Sequence, residues 1–212
     1  PDRVGILRAD GKPVPPRELL QVKGEAASAF VGTQFYGSAY LASRLYKNAM
    51  VIDVGSGGTH ITPIIKSRID PQGRSKPAKY LRKRLLQQQL IHKGILYTSI
   101  NQISQGIKVK SGLLPFTPRV CRMVVVASLL KYIHPEISQE HDFPLLEERD
   151  ARILMARAVG LDTHILNEKD INHLARLVYN DLSDQLGAAF TENLNRQGRT
   201  AKQMQWVSTG IG

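Results

Sequence analysis

The residues best able to do chemistry lie in one short stretch, Asp53-Val54-Gly55-Ser56-Gly57-Gly58-Thr59-His60. Apolar Met50, Val51 and Ile52 precede it, and Ile61, Pro63 and Ile64 follow with Thr62 among them. The pattern predicts a buried strand, a glycine turn and a second strand. Glycines at 55, 57 and 58 permit positive φ and let backbone N–H groups come close to a ligand. Asp53, at the end of the first strand, suits a carboxylate holding a metal-bound water beside a phosphate. Ser56 and Thr59 add hydroxyls, and His60 adds an imidazole at the start of the second strand. The plainer alternative is a tight hairpin with a solvated aspartate and a solvent-facing histidine.

A second turn of small residues closes the chain, Ser208-Thr209-Gly210-Ile211-Gly212. It follows a long helical pattern and the short strand-like run Met204–Ser208, and it again offers backbone where a ligand could lie. The alternative here is a plain terminal turn. The single cysteine, Cys121, excludes an internal disulfide and sits in an apolar run as a core thiol. The histidines outside the turn have no metal-ligand spacing, and no Ser-His-Asp or Cys-His order stands out.

The net charge of +11 invites an anionic partner. Nine cations fall between Lys66 and Lys93, opposed only by Asp70. Among them Lys79, Arg82 and Lys83 are candidates for steering an anionic substrate. No nucleic-acid motif accompanies the patch and aromatics make up only 6% of the chain, so nucleic acid is not the expected partner. No apolar run approaches the roughly 20 residues of a membrane helix. The start carries no charged-then-apolar signal pattern, so a cytoplasmic protein without a membrane partner is expected.

The elements that must position these residues follow from periodicity. Residues 1–24 are polar and proline-rich, with a short strand expected around Val4–Leu7. From Phe35 to Asn48, Tyr36, Ala39, Tyr40, Ser43 and Leu45 recur at helical spacing. Residues 66–77 read as a basic, turn-rich connection. Ala78 to Leu90 reads as a basic helix with Tyr80, Leu81, Leu85, Leu86 and Leu90 as its apolar side. Ile91 to Ile100 is expected to be a strand punctuated by Gly94, and Ile103 to Pro118 a strand and loop. Val120 to Tyr132 reads as a buried helix, and residues 134–144 as a polar connection. Leu146 to Val159 reads as a helix ended by Gly160. Asn167 is the expected N-cap of a long helix whose apolar stripe runs from Ile171 to Leu194, with Gly198 closing it.

Two such glycine turns, each after a helix and a strand, resemble the nucleotide clamp of the actin-like ATPase superfamily. That superfamily includes actin, sugar kinases, the large heat-shock chaperones and the hydantoinase/oxoprolinase enzymes. Within it, residues 50–64 and Leu85 to Ile103 resemble the hydantoinase-type proteins of tetrahydromethanopterin-linked one-carbon metabolism. Some of these are assigned as the methanofuran-biosynthesis synthase that joins an aminomethylfuran unit to glutamyl-tyramine. Pro63-Ile64 matches the end of that family's phosphate hairpin. Leu90 to Thr98 is similar to its Leu-x-x-Gly-Glu-Leu-x-Tyr stretch, and Arg152 to Asp162 and Gly210-Ile211-Gly212 extend the likeness. Gly57, Gly58 and His60 depart from a hairpin usually rich in threonine and closed by aspartate, and loss of that acid would weaken magnesium binding. The family's first Asp-x-Gly-Gly hairpin has no counterpart before residue 33. Actin itself is a rival match through Gly55, Gly57, Thr59-His60 and Pro63, with Arg68-Ile69-Asp70, Gly73-Arg74 and Tyr80-Leu81 after them.

The resemblance implies an α/β protein of the actin-like (ribonuclease H-like) ATPase fold, a mixed sheet flanked by helices. Residues 1–32 would be a leading segment, 33–65 and 145–212 the nucleotide-binding core, and 66–144 a basic insertion or second subdomain. It implies ATP or diphosphate with Mg²⁺ as ligand, with Asp53 as metal and catalytic residue and His60 beside it. Gly55, Ser56, Gly57, Gly58 and Thr59 would contact phosphate, and Thr209, Gly210 and Gly212 adenosine. The expected activity is group transfer on a phosphorylated small molecule or nucleotide in one-carbon cofactor synthesis. The alternative is an actin-like assembly or scaffold protein, a homo-oligomer or a degenerate subunit that works with a partner.

Overall fold

A computed structural model describes residues 5–8, 13–23, 30, 33–69, 77–109, 112–134, 136 and 146–211. The expected loop around Pro71-Gln72-Gly73 and most of the 134–144 connection lie outside them, as does Val4 of the first expected strand. The fold is mixed α/β, with a mixed sheet flanked by helices. The chain divides into two compact units, residues 1–53, 60–91 and 190–209 in the first and 54–59, 92–189 and 210–212 in the second.

The first unit begins with a small antiparallel pair, β1 (Ile6–Leu7) and β2 (Pro13–Val14), and a single helical turn, α1 (Pro16–Leu19). Its main sheet is built from β3 (Asn48–Val54), β4 (Thr59–Ile65), β5 (Arg68–Ile69) and β9 (Gln205–Gly210) in the order β5-β4-β3-β9. A further short strand, β6 (Leu90–Ile91), pairs with β4. The tight turn from β4 to β5 has positive φ at both Lys66 and Ser67, as a two-residue hairpin loop demands. Neither residue is glycine, and the turn is held by bonds from the Lys66 amide to Asn48 Oδ1 (3.1 Å) and from the Ser67 amide to the Lys47 carbonyl (2.7 Å).

Helix α2 (Gln34–Leu45) packs Ala42 against Ala49, Val51, Ile64 and Val207 of the sheet. Its inward stripe is Phe35, Ala39, Ala42 and Ser43. Tyr40 and Leu45, expected on that stripe, are exposed. Close approach to a sheet selects small side chains along the middle of the helix, so Tyr40 and Leu45 turn outward while Phe35, near its start, is buried between His60 and Arg84.

Helix α3 (Pro77–Leu86) is shorter than expected. Gln88 enters the left-handed region (φ 55°), the Gln89 amide bonds back to the Arg84 carbonyl at 2.8 Å, and Leu90 is free to start β6. Its inward residue is also not the expected one. Arg84 is 2% exposed, while Leu86 is 70% exposed. The Arg84 guanidinium lies 3.6 Å from the centre of the Phe35 ring and donates to Thr62 Oγ1 (3.2 Å) and the Gln89 carbonyl (2.9 Å). A planar cation that stacks and hydrogen-bonds at once is tolerated inside.

In the second unit a hairpin, β7 (Gly106–Val109) and β8 (Gly112–Pro115), replaces the expected strand and loop. The main core forms around α4 (Met123–Leu129), α5 (Glu148–Ala158) and the first part of α6 (Glu168–Arg196), with Ile95, Leu96 and Ile100 packed among them. Gly160 takes φ 70° and ends α5, and Gly198 takes φ 59° after α6. Asn167 caps α6 reciprocally: its Oδ1 accepts from the Asp170 amide and its own amide donates to Asp170 Oδ2, each at 3.1 Å. Among the described residues no helix is long and apolar enough to cross a membrane.

Candidate functional site

The glycine turn between β3 and β4 closes on itself, with the Gly55 amide donating to the Gly58 carbonyl at 2.8 Å. A second loop then clamps it. The Ile95 amide donates to the Gly55 carbonyl (3.1 Å), and those of Leu96 and Tyr97 converge on the Ser56 carbonyl (3.0 and 2.9 Å). Thr59 is fully buried, and its hydroxyl donates to the Lys93 carbonyl at 2.7 Å. The Gly94 amide is tied to Thr98 Oγ1 at 2.7 Å.

This clamp is why residues 91–100 are not a strand beyond Leu90–Ile91. Their amides serve the turn and, further along, the core: the Leu96 and Thr98 carbonyls accept from the Val124 and Met123 amides at the start of α4. Gly94 makes the approach possible. A Cβ there would fall 2.4 Å from the Gly55 carbonyl oxygen and 2.7 Å from the Gly58 nitrogen.

The consequence for chemistry is an asymmetry. The carbonyls of Gly55, Ser56 and Gly58 are all occupied. Among the described residues, nothing accepts from the amides of Ser56, Gly57 or Gly58. Gly57 is exposed and its neighbours are half-buried. None of Gly55, Gly57 and Gly58 takes the left-handed conformation that glycine permits, so what the turn offers an anion is three successive amides with no acceptor among the described residues.

Lys93, one residue before Gly94, is half-buried, and its ammonium donates to Oε1 of Gln185 on α6. Gln185 Nε2 donates to the Ile103 carbonyl at 2.7 Å, which fixes the amide with its oxygen toward the lysine. Among the described residues no carboxylate lies within ion-pairing distance of Lys93.

The remaining candidates of the hairpin belong to the first unit. Asp53 is the next-to-last residue of β3, and burial lifts its carboxyl above the ordinary aspartate range against a smaller opposing pull from the Thr209 side chain on β9. His60 stacks on Phe35 with ring centres 5.1 Å apart, so its imidazole is held in the same column as Arg84. Arg82 and Lys83 are exposed on α3, and the Lys79 side chain lies outside the described residues.

Of the terminal turn, Gly210 adopts φ 99°, a left-handed conformation that favours glycine. The Ile211 amide donates to the Val54 carbonyl at 3.0 Å. Gly212 lies outside the described residues. The two glycine turns therefore leave neighbouring strands, β3 and β9.

Among the described residues, no three His, Cys, Asp or Glu side chains gather as a metal site.

Gln185 carried no signal in the sequence, and Lys93, Gly94 and Thr98 were legible only as members of the basic cluster and of the Leu90–Thr98 stretch, not as a clamp on the turn. A conserved-looking spacing does not link positions 92 residues apart, such as Lys93 and Gln185. No protein-family model matches the chain, and no curated protein matches it.

Proposed function

We propose that the chain binds the phosphoryl group of a nucleotide or phosphorylated small molecule on the amides of Ser56, Gly57 and Gly58, within an actin-like (ribonuclease H-like) ATPase architecture. One observation carries this reading: the carbonyls of Gly55, Ser56 and Gly58 are tied back while the amides of Ser56, Gly57 and Gly58 have no acceptor among the described residues. Amides held this way neutralise phosphate charge without reorganising and without a base.

The ligand is ATP or diphosphate with Mg²⁺. Asp53 would hold the metal or its water, Thr59 fixes the end of the turn, and Thr209 and Gly210 would contact the adenosine. Lys79, Arg82 and Lys83 steer the anion. His60, an imidazole stacked on an aromatic ring, is a modest contributor to hard-metal binding. The finer reading is group transfer on a phosphorylated substrate in methanofuran-type cofactor synthesis. It is supported by the resemblance of residues 50–64 and 85–103, which are also the segments from which the turn and its clamp are made.

Calorimetric titration with ATP, ADP and pyrophosphate, with and without Mg²⁺, tests the binding. Amide spectra recorded alongside should show Ser56, Gly57 and Gly58 moving with the ligand. No heat and no amide shift with any of the three overturns the reading. Condensation of a phosphorylated aminomethylfuran with glutamyl-tyramine, followed by mass spectrometry, tests the transfer.

A second reading, an actin-like assembly subunit, draws on the exposed Leu41 (64%) and Leu45 (66%) on the outer side of α2. Nucleotide-dependent pelleting at high speed would favour it.

A further inference from the structure

We propose that Lys93 is the cation of this phosphate site and that Gln185 stores its ammonium until an anion arrives. The proposal rests on the phosphate reading of the glycine turn and adds the charge that the turn itself lacks. The backbone places Lys93 at the site: its carbonyl receives the Thr59 hydroxyl, and the next residue, Gly94, lies on the turn with no room for a side chain.

The side chain points to a role beyond packing. An ammonium drawn partly out of water needs an acceptor. Here the acceptor is the neutral Oε1 of Gln185, itself aligned by the bond from Nε2 to the Ile103 carbonyl. A neutral partner keeps the lysine ordered while leaving its charge uncompensated. A phosphate oxygen is the better acceptor, because hydrogen bonds between ionised partners are roughly twice as strong as neutral ones. The four-carbon stem lets the ammonium exchange one acceptor for the other without moving the backbone. Three backbone amides together with one lysine cation would select a phosphoryl group carrying two negative charges, as at the end of a diphosphate or a phosphate monoester.

The experiment is titration of the full chain with inorganic pyrophosphate at two salt concentrations. Lys93→Met should weaken binding by about tenfold or more and reduce its salt sensitivity, while Lys93→Arg keeps affinity within about threefold. Gln185→Glu gives the ammonium a permanent counter-ion, though it loses the donor to the Ile103 carbonyl, and should weaken binding; circular dichroism recorded alongside checks that it folds.

Pyrophosphate affinity unchanged in either Lys93→Met or Gln185→Glu overturns the role of Lys93 and leaves the glycine-turn site standing. No binding by the wild type overturns both. Should Lys93→Met fail to fold, the Gln185→Glu titration decides the matter alone.

Discussion

Gly94 rests directly on Gly55, with space between them for no side chain: a Cβ on Gly94 would stand 2.4 Å from the Gly55 carbonyl oxygen. Gly94→Ala must displace backbone atoms of the turn, because the Gly58 nitrogen and the Ser56 carbonyl carbon also lie at 2.7 Å. Overpacking of this kind costs about 1–3 kcal/mol. Urea unfolding should place the variant in that range, with pyrophosphate affinity lost in parallel. Gly37→Ala is the control. Nothing lies within 4 Å of a Cβ built there, and in a helix interior alanine should stabilise by about 0.5–1 kcal/mol. Equal effects of the two substitutions would show that the clamp is not tight.

Arg84 and Arg82 are two residues apart and should behave oppositely. Arg84→Met leaves the Gln89 carbonyl and the Thr62 hydroxyl without that donor and removes the stack on Phe35. Leaving buried acceptors unmet costs about 1–3 kcal/mol. Arg84→Lys should not restore it, since an ammonium cannot stack as the planar guanidinium does. Arg82→Met, at an exposed position, should stay within about 0.5 kcal/mol of wild type. Chemical denaturation midpoints of the three variants check this, and a neutral Arg84→Met would remove the buried cation from the account of the fold.

Asp53 predicts a pH dependence with a definite sign. Burial raises its carboxyl above the ordinary aspartate value, so the folded chain holds that proton more tightly than the unfolded one. The stabilisation belonging to the proton is present at low pH and lost as pH rises through the raised value. Asp53→Asn cannot ionise and escapes this loss. Relative to wild type, the variant should gain stability as pH increases from about 4 to about 7. Thermal unfolding across that range checks the sign; a flat or reversed difference would mean that the carboxylate is not desolvated.

Cys121 is 1% exposed, and burial pushes its thiol up to about 12. With almost no thiolate at neutral pH, it should not react with a disulfide reagent in the native protein and should react fully once unfolded. Rapid labelling of the native chain, followed by absorbance, would place Cys121 outside the core.

Several elements were legible because their signals are local. Asn167 announced a helix start through a side chain that reaches its own first turn, and Gly160 a helix stop through its left-handed backbone. Alternation and glycines announced the β3–β4 hairpin with Asp53 at its base. Other features were not local. Helical period shows which residues share a face but not which face turns inward, and in α2 the sheet took Ala39, Ala42 and Ser43 rather than Tyr40 and Leu45. In α3 a row of cations hid the one that stacks on Phe35.

The sequence by itself therefore determined the α/β character, the end of α5, the start of α6 and the glycine turn, since these depend on residues a few positions apart. Only the tertiary structure decided that residues 93–98 close on that turn rather than extend as a strand, that Lys93 meets Gln185, and that β9 returns beside β3. Those pairings join distant parts of the chain. They are chosen by which backbone amides and carbonyls must be satisfied once the core has closed, and no short-range pattern encodes that choice.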